Sequence, residues 1–170
     1  MKKPISLLLI MSLILAIMAG CSEAVAEDDP VPEPIISEEE EEVFPDYYPL
    51  TEYERELVWQ TIYAEARGCT CPEDECMVYV AQCIRDRVLV PGYGSTVESV
   101  VTAKNQFAYY RGDASEELDV RINLAIDKVF KDGYFAFFDP ILHFHADYVE
   151  PYWADEFDLL AYVDGTKFYN

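Results

Sequence analysis

The chain has 170 residues, 33 of them acidic against 12 Lys and Arg, for a formal net charge of −21. That balance excludes a nucleic-acid binder, which needs a basic face against the phosphates, and it slows encounter with any other polyanion. Apolar residues make up 51% of the chain, enough for one packed core with segments left over.

Lys2 and Lys3 precede an apolar run from Ile5 to Met18, too short for a comfortable membrane span and typical of a secretion signal over residues 1–20. Met18-Ala19-Gly20-Cys21 resembles a bacterial lipobox, which implies acylation of Cys21 and a lipid anchor on the outer face of the membrane; an ordinary cleaved leader with a free Cys is the alternative. Residues 21–50 hold acids and prolines, including the run Glu38 to Glu42. They cannot bury enough surface to offset chain entropy, so an acidic disordered tether is expected there. A coil of that length reaches on the order of 30 Å. A cation-binding or partner-binding acidic segment is the other reading.

From residue 51 onward about 120 residues suit one domain. Thr51 and Glu54 form a capping box for a first helix, in which Leu57, Val58, Thr61, Ile62 and Glu65 share one stripe, with Gly68 as its stop. Pro72 opens a second helix with the stripe Met77, Val80, Ala81, Ile84 and Val88, ended by Pro91-Gly92. Ser95 and Glu98 cap a short third helix through Val101. Asp113 and Glu116 cap a fourth, with Leu118, Ile122, Ala125 and Val129 on one face and a break at Asp132-Gly133. Beyond it come short aromatic and β-branched runs at Tyr134 to Phe138, Leu142 to His145, Leu159 to Val163 and Thr166 to Tyr169. Asp164-Gly165 between the last two signals a hairpin. The class expected is α+β, helices followed by a small antiparallel sheet.

Glu65 stands where Leu or Ile would be expected. Burial there disfavours the ionised carboxyl and raises its pKa, the condition for a general acid near neutral pH. An ion pair with Arg67 or another Arg is the competing reading of the same position.

Thr61-Ile62-Tyr63-Ala64-Glu65-Ala66-Arg67-Gly68 is similar to the signature of the SleB-type cell-wall hydrolases, a family that includes spore-cortex-lytic enzymes. The resemblance runs in order through Val80-Ala81 to Arg87-Val88, Ser95-Thr96-Val97, Gln106-Phe107, and His143-Phe144-His145 to Pro151-Tyr152-Trp153-Ala154. It closes on Val163 to Tyr169. It implies a lysozyme-like domain over residues 51–170 with a groove between helices and sheet, peptidoglycan as substrate, and no cofactor. It also implies lytic transglycosylase chemistry, in which Glu65 protonates the glycosidic bridge and then takes the proton of the muramoyl C6 hydroxyl. A glycoside hydrolase needs a second carboxylate, for which Asp147 and Asp155 are available. A non-catalytic wall-binding lipoprotein is the rival from another class.

Gln106 and Phe107 offer an amide for an N-acetyl group and a ring for a sugar face, or else a loop cap and core packing. Tyr109, Tyr110, Tyr148, Tyr152 and Trp153 supply aromatic surface. His143 and His145, the two histidines of the chain, fall on the same side of a strand. Substrate contact or a structural hydrogen bond is expected of them ahead of a metal.

Cys69, Cys71, Cys76 and Cys83 depart from the family pattern. Outside the membrane they point to disulfides. Cys76 and Cys83 lie two turns apart on one helix, about 10 Å by its rise, so each is expected to join one of Cys69 and Cys71. A zinc site of four thiolates is the alternative.

Overall fold

The computed structural model describes residues 46–170. The expected signal peptide, the lipidation site at Cys21 and the tether up to residue 45 lie outside the described residues. Among those described, no helix is long and apolar enough to cross a membrane.

The domain is α+β, helices first and sheet last. Helix α1 spans Glu52–Ala66, α2 Glu75–Leu89, α3 Val97–Val101 and α4 Glu116–Ile126, with a π-helical turn at Asp127–Lys131 continuing α4. Strands β1 (His143–Ala146), β2 (Leu159–Val163) and β3 (Thr166–Tyr169) form one antiparallel sheet in the order β1-β3-β2. His143 pairs with Tyr169 and His145 with Lys167, while an irregularity between Leu159 and Ala161 adjusts β2 to β3.

Helix α2 is the axis of the domain: every residue from Cys76 to Arg87 is buried. The other helices and β3 close around it, with Ile62, Met77, Ile84, Ile122, Ile126 and Phe168 in the dry centre. Burying such side chains stabilises the fold by about 1.5–3 kcal/mol each.

Local chemistry sets the element ends. Thr51 and Glu54 make the expected reciprocal cap on α1, and Asp164 and Gly165 take φ of 48° and 76°, the left-handed pair of a type I′ hairpin turn. Elsewhere the structure departs from the pattern. Thr96 with Ser99, one residue beyond Ser95 and Glu98, caps α3; Ser115 rather than Asp113 caps α4. Pro72 opens only a 3-10 turn, Pro72–Asp74, because Glu73 and Asp74 adopt φ of 55° and 56°; α2 starts after them. Gly68 is not left-handed, and the end of α1 is drawn off by Thr70, whose N–H donates to Asp164 Oδ2 at 2.7 Å.

Two segments show tertiary contacts overriding composition. Tyr134 to Phe138 forms no strand, since its backbone groups are met by buried side chains of α2: Gln82 Oε1 accepts from Ala136 N–H and Arg85 donates to Tyr134 O. Residues 46–50, grouped with the acidic tether on composition, pack on the domain. Tyr47 and Tyr48 N–H donate to the carbonyls of Lys131 and Phe130, and the Tyr48 ring meets Phe130.

Candidate active site

A cavity of about 700 Å³ opens between the α2–α3 region and the sheet side of the domain. Gln106, His143, Tyr152 and Trp153 line it, four of the residues expected to bind substrate. Arg87, Tyr93, Glu156 and Phe157 also line it. Arg87 stands in the sequence only as part of the resemblance, with no role attached, and no pattern in the sequence marks Tyr93, Glu156 or Phe157.

Arg87 organises one wall. Buried on α2, its guanidinium donates to Leu142 O at 2.7 Å and to Gln106 Oε1 at 2.9 Å, and it lies over the rings of Tyr93 and Phe107. Gln106 is thereby held by its oxygen, and its amide nitrogen is the group left to donate outward. Phe107 does not line the cavity. It packs against the core beside Phe144, so it supports Gln106 from beneath.

The histidines lie on the same side of β1, both against Trp153, but they are not brought together as ligands. His143 Nε2 meets the Tyr93 hydroxyl at 3.0 Å. Burial first, and Arg87 second, push its pKa down, so its imidazole is neutral at neutral pH. His145 Nδ1 lies 2.8 Å from Ala146 O and Nε2 lies 3.0 Å from Tyr169 Oη. A carbonyl only accepts, so Nδ1 carries the proton and Nε2 accepts from the tyrosine. His145 is a structural brace between β1 and β3 rather than a cavity residue.

Glu65 occupies the last turn of α1 and is not itself a wall of this cavity. It adjoins it through the chain: the Ala108 N–H, two residues past Gln106, donates to Glu65 Oε1 at 2.6 Å. The expectation of a buried carboxyl is corrected, and the group accepts one hydrogen bond. Leu57, Val58, Thr61 and Ile62 of the same stripe are buried, and so is the following Ala66, but Glu65 itself is exposed. Residual desolvation by the surrounding walls still raises its pKa, and the Ala108 hydrogen bond pulls the other way. Because the residue as a whole is exposed, the shift belongs to a crowded ledge and not to a sealed pocket.

Arg67 does not pair with Glu65. It turns back to the carbonyls of Tyr63 and Ala64 and lies over the Tyr63 and Tyr110 rings. Glu65 thus keeps no cationic partner among the described residues, while Arg67 covers an aromatic bank of Tyr63, stacked on Trp59, and the half-exposed Tyr110.

Asp147 and Asp155 do not line the cavity. Asp147 accepts from Tyr162 Oη at 2.7 Å beside the β2–β3 turn, and Asp155 lies in the 3-10 turn Ala154–Glu156. Its neighbour Glu156 is the carboxylate that faces the cavity. Tyr148 is exposed and away from it.

The cysteines divide three and one. Cys69, Cys71 and Cys76 bring their sulfurs within 4.8 Å of one another, whereas Cys83, one of the expected bridging partners, is fully buried beside Arg87. Burial pushes the Cys83 thiol up to about 12. Cys83 faces the core on the Glu65 side of α2, outside the group formed by the other three, so the geometry does not place it to pair with Cys69 or Cys71.

Residues 72–169, more than half of the chain, match the family model described as Cell Wall Hydrolase. That span contains the cavity residues and begins after Glu65. The crystal structure of the catalytic domain of the Bacillus cereus SleB protein superposes with a TM-score of 0.57 at 17% identity, over 72% of this chain and 93% of that one. The likeness establishes a shared fold, the lysozyme-like α+β class expected. Comparison with curated proteins finds no match.

Proposed function

The chain belongs to the cell wall hydrolase family, of SleB type, and from that premise we propose that it cleaves the glycan strand of peptidoglycan by lytic transglycosylation, with Glu65 as both acid and base. The observation that carries the reading is the placement of Glu65. A carboxyl with its pKa raised by crowding, free of cationic partners, is oriented by an N–H from the segment that also presents Gln106 to the cavity.

In this mechanism the strand runs from the cavity across residues 106–108 to Glu65. Protonated Glu65 gives its proton to the bridging oxygen as the bond to the muramoyl C1 breaks. The resulting carboxylate takes the proton of the C6 hydroxyl while that oxygen closes on C1. The proton returns to Glu65, no water is consumed, and the product carries a 1,6-anhydro end. Gln106 Nε2 donates to an N-acetyl carbonyl, while Trp153 and Tyr152 offer ring faces to the sugars. The leader and lipobox support secretion and anchoring of the enzyme to the outer face of the membrane through an acylated Cys21.

Glu156 favours one competing reading. A second carboxylate facing the cavity could activate water and make the reaction a hydrolysis. The full chain, Glu65→Gln and Glu156→Gln are incubated with purified peptidoglycan and the released fragments weighed by mass spectrometry. Anhydro-muramoyl ends should form, fall about 10²–10⁴-fold in Glu65→Gln, and persist in Glu156→Gln. Reducing ends that disappear with Glu156→Gln would establish hydrolysis, and binding without release by any of the three would leave a wall-binding protein.

A further inference from the structure

The turn between α1 and α2 is built as a cup of sulfur. Cys69, Cys71 and Cys76 converge within 4.8 Å, with Cys71 Sγ and Cys76 Sγ 3.4 Å apart. Three ligands at the corners of a tetrahedral zinc site, each about 2.3 Å from the metal, would stand about 3.8 Å apart. The observed cluster is compatible with that spacing. A disulfide uses two sulfurs and leaves the third without a role; the other cysteine of the domain, Cys83, is sealed in the core.

The chain takes unusual measures to hold this arrangement. Glu73 and Asp74 are consecutive non-glycine residues at φ of 55° and 56°, each costing about 1–3 kcal/mol, and they reverse the backbone so that Cys76 returns to Cys71. Arg121 of α4 donates to the Cys69 carbonyl at 2.8 Å and pairs with Asp74. Cys76 N–H donates to Cys71 Sγ at 3.3 Å. A guanidinium and a backbone N–H beside the sulfurs are the supports that three negative thiolates around one cation require. Cys69 and Cys76 are buried, while Cys71 is only partly so and forms the open edge.

We propose that Cys69, Cys71 and Cys76 bind one thiophilic d10 cation, Zn²⁺ by ligand chemistry and geometry, with the fourth position supplied from the solvent side at Cys71. As each S–Zn bond forms, the thiol proton passes to solvent, so binding releases protons and tightens with pH. The ion clamps three elements at once. Cys69 follows the end of α1 that carries Glu65, Cys76 begins α2, and Thr70 between the cysteines is tied to the β2–β3 turn through Asp164. The site is independent of which bond the enzyme cleaves.

The full chain carrying Cys21→Ser, so that only domain thiols remain, is reduced, freed of metal and titrated with Zn²⁺ against a chromophoric chelator, and with Co²⁺ followed by thiolate charge-transfer absorbance. One Zn²⁺ should bind per chain and protect three thiols from a thiol reagent. Cys71→Ser should weaken binding by more than about 100-fold and Arg121→Met by about 10–100-fold, while Cys83→Ala keeps the metal. Thiol protection in the unsubstituted chain needs no variant to fold. Failure of the reduced chain to take up Zn²⁺, or purification without reductant giving a mass 2 Da low with Cys71 and Cys76 cross-linked and no uptake after reduction, would overturn the assignment.

Discussion

Arg85 is the largest fully buried side chain of the domain, and replacing it with Met tests how the centre is held. Its guanidinium donates to Asp86 Oδ1 at 2.9 and 3.2 Å, to Tyr134 O at 2.6 Å and to Val129 O at 3.2 Å, and it lies 3.9 Å from the Phe135 ring centroid. The side chains of the pair are 0% and 4% exposed. Met fills much of the volume and donates nothing. Asp86 then keeps only the Gln82 amide and the Ile141 N–H on its other oxygen, and two carbonyls lose their donor. A buried pair broken on one side costs about 3–5 kcal/mol, against a total of about 5–15 kcal/mol for a domain of this size. With a urea slope of about 1–3 kcal/mol per molar, the midpoint should fall by roughly 1–5 M, as read by circular dichroism. Adding Asp86→Asn to Arg85→Met should recover part of the loss, because the uncompensated charge goes while Asn still accepts from Ile141. A cost for Arg85→Met below about 1 kcal/mol, or a double variant worse than the sum of the singles, would refute the claim that mutual charge compensation holds this region together.

Glu65→Gln should gain stability while it loses activity. A carboxyl whose folded pKa is raised binds more protons folded than unfolded, so the wild-type chain loses stability as pH rises from the unfolded pKa through the folded one. Thermal melts should therefore show the variant ahead at pH 7 and level with wild type well below the unfolded value; a variant less stable at pH 7 would mean the Ala108 hydrogen bond outweighs desolvation. Gly112→Ala should disturb the packing around Tyr63, since a Cβ there would overlap Tyr63 Cε1 and Oη. Overpacking of this kind costs about 1–3 kcal/mol and should shift the aromatic near-ultraviolet signal of Tyr63 and Trp59. Unchanged spectra and melting would show that the Tyr63 ring yields freely.

Short-range features are legible in the residues alone. The Thr51–Glu54 cap, the Asp164-Gly165 turn and the apolar stripes of α1 and α2 depend on neighbours within a few residues, so the same local chemistry acts in the chain and in the fold. Glu65 was legible as an anomaly because a carboxylate interrupts a helical apolar period. Its surroundings were not. Whether that position is core or ledge depends on what packs over it from elsewhere in the chain, and its partner Ala108 lies 43 residues away. Nothing local in the sequence gives Glu156 or Arg87 a place at the site; the cavity that both line is built from segments far apart in the chain. The cysteines mark the limit most clearly. Spacing put Cys76 and Cys83 too far apart to bridge, but only packing could turn Cys83 into the core and fold Cys71 back onto Cys76, because two left-handed residues and Arg121 of a distant helix set the path between them.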